Sequence, residues 1–171
     1  MIPGVWTRDK IYHMLRRILP LLFVSAAVAF PQKYTGPRPP QPDIPYLKHA
    51  DTLVATEVGE AKEEKRKDDI LYVVTGANSP ARTPLASPVF LFQAEKIMPD
   101  KLQLYKLDNK NGRRELLLSP KKKQGALPIR IQVMRLSSDN LYKIEVEDSL
   151  ENGEYSLSPD GSNQVFCFQV Y

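Results

Sequence analysis

The run Gln164-Val165-Phe166-Cys167-Phe168-Gln169-Val170 constrains the fold more than any other stretch. Its valines and phenylalanines favour a strand, and successive side chains in a strand point to opposite faces. Val165 and Cys167 point one way, Phe166 and Phe168 the other, so both faces need cover. A strand apolar on both sides belongs at the centre of a layered structure.

Other segments alternate with one apolar face and one polar face. In Pro128–Leu136, Ile129, Ile131 and Val133 share a face opposite Arg130 and Gln132. In Leu141–Glu147, Tyr142, Ile144 and Val146 oppose Lys143, Glu145 and Glu147. Ile70–Thr75 and Pro88–Phe92 also read as strands, and so does Thr52–Val58 with its Thr and Val. Gly59–Asp69 is polar with mixed charge and reads as a hairpin tip, with a short helix over Gly59–Lys67 as the alternative. Lys101–Leu107 and Arg113–Leu118 flank Asp108–Gly112, where Asn111-Gly112 supplies the positive φ of a hairpin loop. Gly76–Pro84 carries loop chemistry. About seven or eight strands joined by short turns predict an all-β, antiparallel sandwich.

Ahead of the last strand stands Leu150-x-x-Gly153-x-Tyr155. This spacing resembles the tyrosine corner of fibronectin type III and bacterial immunoglobulin-like modules. The resemblance implies an immunoglobulin-like architecture in which Leu150 plugs the core and the Tyr155 hydroxyl bonds the backbone a few residues upstream. It covers only this corner. The single cysteine has no disulfide partner, and no tryptophan follows Trp6, so the antibody pattern is not carried over.

The N-terminus has another character. Leu19–Ala29 is a short apolar run behind Arg16-Arg17, ending in Ala27-Val28-Ala29. About eleven residues fall short of the roughly twenty that span a bilayer, and small-x-small is a signal-peptidase pattern. Residues 1–29 are therefore expected to form a signal helix cleaved after Ala29, with Met1 or Met14 as the start. An uncleaved anchor is the alternative, and it gives the only membrane contact expected. Residues 30–47 hold Pro31, Pro37, Pro39, Pro40, Pro42 and Pro45 and predict an extended spacer. Pro37–Pro42 also has the spacing read by proline-binding modules. Residues 48–171 form the sandwich domain.

Charge speaks against one class of partner. The chain has 24 bases and 20 acids, and the N-terminal run takes four bases and one acid with it, leaving +1. A nearly neutral domain presents no electrostatic case for nucleic acid.

Candidate chemistry is sparse. The residues after Ala29 hold one histidine, His49, and one cysteine, Cys167. A structural zinc site takes about four Cys or His ligands, and Cys167 between two phenylalanines reads as a buried, inert thiol. His49, Asp51 and Glu57 are the one acid–base cluster, with Ser79 or Ser87 as a conceivable nucleophile. No nucleophile elbow supports it, and capping the first strand is the simpler role. No phosphate-binding loop is present. Arg113, Arg114, Lys121, Lys122 and Lys123 form either a basic patch or a solvated loop. No catalytic, cofactor-binding or metal residue is assigned, and no cofactor.

The sequence thus points to an exported, periplasmic or extracellular, non-catalytic binding or assembly module of the cell envelope. Its expected partner is an envelope protein or glycan. A small secreted hydrolase built on His49 and Asp51 is the alternative. Any site is expected on the loops Gly76–Pro88 or Asp108–Gln124.

Overall fold

A computed structural model describes residues 34–119 and 125–171, so the expected signal helix, its cleavage point and the lysines at 121–123 lie outside it. Among the described residues the fold is all-β, with one 3-10 turn at Pro99–Lys101. No helix there is long and apolar enough to cross a membrane.

The first sheet contains β1 (Pro45–His49), β2 (Thr52–Ala55), β7 (Val89–Gln93), β10 (Ile131–Arg135) and β11 (Leu141–Val146), in the order β10-β11-β7-β1-β2. The second contains β3 (Glu57–Glu60), β4 (Lys62–Arg66), β5 (Asp69–Thr75), β8 (Leu102–Lys110), β9 (Arg113–Leu118), β12 (Gly153–Pro159) and β13 (Gln164–Val170), in the order β3-β13-β12-β8-β9-β5-β4. A short β6 (Arg82–Thr83) joins this sheet beside β13, in parallel. The remaining pairings are antiparallel.

The two sheets make the expected sandwich. Leu47, Phe90, Phe92 and Ile144 of the first meet Leu104, Leu157, Phe166 and Phe168 of the second in one buried cluster. Phe90 stands edge-on to Phe168 at 5.1 Å, and Tyr155 stacks on Phe168 at 5.5 Å. Both geometries suit the ring quadrupoles and add to area burial. Ile129, Ile131 and Val133 pack against this cluster, as their alternation requires.

The corner is formed. Leu150 is buried in the sandwich core, and the Tyr155 hydroxyl donates to the Glu151 carbonyl at 2.8 Å. A Cβ on Gly153 would come within 3.3 Å of the Lys106 Cε, so a side chain here would push that lysine aside.

The strands outnumber the sequence reading for physical reasons. Thr52–Val58 is two strands in two sheets. At the crossing, Thr56 is buried, and its N–H and hydroxyl both bond the Pro45 carbonyl, at 3.1 and 2.8 Å. The polar Gly59–Asp69 stretch is strand and hairpin rather than helix, turning at Lys67 with φ 57°. The Asn111-Gly112 turn has φ of 54° and 76°, the primed geometry that matches strand twist, so β8 and β9 run right up to it.

The proline-rich segment is tied down. Asp43, at φ 59°, accepts bonds from the N–H groups of Glu95, Lys96 and Ile97 at 2.9–3.0 Å. Arg38 pairs with Asp139. Strand β1 then begins at Pro45, and Leu47 is wholly buried.

The second sheet closes on itself. Its two end strands, β3 and β4, are consecutive in the chain and separated only by Ala61. Taken as one bent strand, β3–β4 pairs with β13 through its first half and with β5 through its second. Six strands, β3–β4, β13, β12, β8, β9 and β5, thereby ring a second interior. A closed sheet leaves few unpaired edges. Beyond Gln164 the ring splays, because β4 has β5 on one side and, on the other, only the turn that links β12 to β13. The Ala61 N–H donates to the Asn163 carbonyl at 2.8 Å and marks where the splay begins.

Candidate functional site

The register decides what enters the barrel. Tyr155 and Leu157 of β12 face the sandwich, so Glu154, Ser156 and Ser158 face the other way. Paired residues share that face: Leu107 opposite Glu154, Tyr105 opposite Ser156, Cys167 between Ser156 and Glu57, and Val74 opposite Arg114.

The base of the barrel holds an ionic cluster. Arg114 on β9 is fully buried. Its guanidinium grips Glu57 of β3 with two bonds, of 2.6 and 2.9 Å, and donates to the Gly76 and Thr75 carbonyls at 3.0 and 2.8 Å. Bidentate pairing and two carbonyls engage four of its five donors. Glu154 lies 3.7 Å from the same guanidinium, and its Oε2 accepts the Ser79 N–H at 3.0 Å. Its Oε1 is buried without a hydrogen-bond partner. One guanidinium thus faces two carboxylates, and only one pairs well. Burial pushes the Glu154 carboxyl above its ordinary value, against the pull of Ser79 and Arg114. Glu57 is also raised by burial, but the hydrogen bonds from Arg114 and Ser79 outweigh this and hold it below. The loop after β5 seals this end, with Ser79 donating its hydroxyl to the Cys167 carbonyl at 3.1 Å.

Above the cluster sits an apolar layer. Val74, Leu107, Leu116, Val165 and Cys167 pack together there. Burial pushes the Cys167 thiol up to about 11, so it carries no thiolate at neutral pH. The apolar layer is the floor of a cavity of about 380 Å³. Tyr72 and Tyr105 form its walls, and Glu63, Gln103, Ser158, Asp160 and Asn163 its rim. The cavity opens where the ring splays, beside the Pro159–Asn163 turn. Burial raises both tyrosines above their ordinary values; Glu63 adds to this at Tyr72, and Asp160 and Tyr72 add to it at Tyr105.

The residues singled out from sequence fall elsewhere. The His49 Nε2 shares a 3.0 Å hydrogen bond with the buried Thr83 hydroxyl. Glu57 belongs to Arg114 in the barrel, and Ser79 is buried beneath it. Among the described residues no hydrogen bond or ion pair joins His49 to Asp51, Ser79 or Ser87, so the acid–base cluster is not assembled. Arg114 is no part of a surface patch, and Arg113 is paired with Glu64 and Glu115. Of the two loop regions expected to carry a site, Gly76–Pro88 instead closes the barrel base, and the cavity opens at the Pro159–Asn163 turn. Tyr72, Tyr105, Glu63 and Asp160 were missed. The available hint was small Gly59 and Ala61 alternating with charge on one strand, as a narrow interior demands. The chain matches no family model, no curated protein and no solved structure.

Proposed function

We propose that this chain is an exported, non-catalytic binding module of the cell envelope, and that the barrel mouth is its ligand site. One observation carries the reading: a preformed cavity with an apolar floor, two tyrosine walls and polar groups converging on its rim. Ligand sites have this construction, and about 300 Å³ is the lower end of their range. The occupant is a small molecule, or the end group of a larger envelope protein or glycan, entering end-on. The sandwich then serves as the rigid frame. Export rests on Arg16–Ala29, and sequencing the N-terminus of the exported form tests it: a start at Phe30 supports cleavage, and a start at Met1 or Met14 leaves an anchor.

The site is tested with the neutral fluorescent dye N-phenylnaphthylamine. Uptake is expected to be saturable with one site per chain. Leu116→Trp, which fills the cavity from its floor, is expected to weaken uptake at least about tenfold while the far-ultraviolet circular dichroism is unchanged. Undiminished uptake by that folded variant overturns the site. The hydrolase reading has less to stand on, since His49 is engaged by Thr83 and Glu57 by Arg114.

A further inference from the structure

The charge of the cavity's rim narrows the ligand. Glu63 lies at the same register level as Tyr72, on the adjacent strand. Asp160 follows Pro159, which pairs with Leu102, so it stands across the mouth on the turn. Both carboxylates are exposed and line the cavity. No lysine, arginine or histidine lines it among the described residues. The nearest cations in register are Lys65, one pleat further out on β4, and Lys101, beside the Asp160 backbone; neither is among the lining residues. The walls add to the same preference, because the face of a tyrosine ring attracts a cation. The rim's neutral groups are Gln103, whose Oε1 accepts the Tyr105 hydroxyl, Ser158, whose hydroxyl shares a 3.0 Å bond with Ser156, and Asn163. Below them Val74, Leu107, Leu116 and Val165 offer nothing polar. The described lining therefore has two zones, acidic and polar above, apolar below.

We propose that the barrel takes an amphiphilic cation: an ammonium group held at the mouth between Glu63 and Asp160, with an apolar or aromatic body between Tyr72 and Tyr105 reaching the Leu116 floor. Three features support this together: the cavity, its aromatic walls, and carboxylates on two sides of one opening. The proposal rests on the barrel mouth being the ligand site. It goes further in disfavouring carboxylates and phosphates, whose charge would meet Glu63 and Asp160 with no base among the described lining residues to offset it.

The test uses the full chain loaded with N-phenylnaphthylamine, displaced by 2-phenylethylammonium, by 3-phenylpropionate or by neutral 3-phenylpropanol at one ionic strength. The ammonium compound is expected to displace the dye at about a tenfold lower concentration than the carboxylate, the gain of one charge-assisted hydrogen bond. In the double variant Glu63→Gln/Asp160→Asn that gap is expected to close, with displacement by phenylpropanol unchanged. Equal displacement by ammonium and carboxylate, or a carboxylate preference, overturns the cationic ligand and leaves the site standing. A gap that survives the double variant also overturns it, because the two carboxylates would not be its source. If the dye itself is not taken up, the site falls and the cation with it.

Discussion

Strand β13 has two faces that do different work. Phe166, Phe168 and Val170 look into the sandwich, where they join one apolar cluster and three aromatic rings interlock. Val165 and Cys167 look into the barrel, where the neighbours are a buried arginine, two carboxylates, serines and a cavity. The first interior is an apolar cluster drawn from both sheets. The second leaves a buried oxygen unpaired and a cavity open, features that cost stability and that a purely structural core has no use for. The apolar core and the proposed ligand site are thus separated by the thickness of one sheet.

Four substitutions test that separation. Phe168→Ala is expected to cost about 4 kcal/mol in urea unfolding, as large truncations in dry cores do. Val165→Ala on the other face should cost about 1 kcal/mol, since it removes two methyl groups beside existing space. Equal losses would erase the contrast between the interiors. Arg114→Met is next, at about 3 kcal/mol, because it strands Glu57 and Glu154 without a counter-charge. The triple change with Glu57→Gln and Glu154→Gln should recover most of that loss. If it does not, Arg114 contributes through packing rather than charge. Tyr155→Phe should cost about 1 kcal/mol, the net worth of its bond to the Glu151 carbonyl. An unchanged midpoint would reduce the corner to shape alone.

The smallest effect is a slope in pH. Glu154 is raised in the folded chain, so its neutral form favours folding below the ordinary value of 4.5. That contribution is lost as pH rises through the raised folded value. Glu57 works in the opposite sense: it is lowered, and its stabilisation is present above 4.5 and lost as pH falls through the folded value. Glu154→Gln should therefore flatten the decline of melting temperature toward neutral pH and leave the acid limb in place. A variant with the wild-type profile would remove Glu154 as the source of that decline.

The sandwich was legible because its strands carry their own signal. Ile129-x-Ile131-x-Val133 declares an inward face without reference to any other part of the chain, and Leu150-x-x-Gly153-x-Tyr155 declares a corner. The barrel was not, because its signal is relational. Arg114 reads as a surface base until Glu57, which belongs to another strand, is brought beside it. Lys62–Arg66 reads as solvated, and its chemistry is that of an exposed strand; only pairing with β5 reveals the strand. Thr52–Val58 reads as one element, because nothing in Thr56 itself says that the chain changes sheets there. The mouth is assembled from β4, β5, β8 and the Pro159–Asn163 turn, and no single stretch contains enough of it to stand out.

The seam that closes the barrel has a consequence for how the chain is made. Glu57–Glu60 must wait for Gln164–Cys167, more than a hundred residues later, before it can pair. Contacts so distant in sequence slow folding, since the intervening chain must be ordered first. On a chain emerging N-terminus first, neither interior is complete until β13 arrives, for that strand walls both. Assembly is then nearly all-or-none at the step that adds β13, and the chain before it stays open, with both interiors unclosed, until that strand is free.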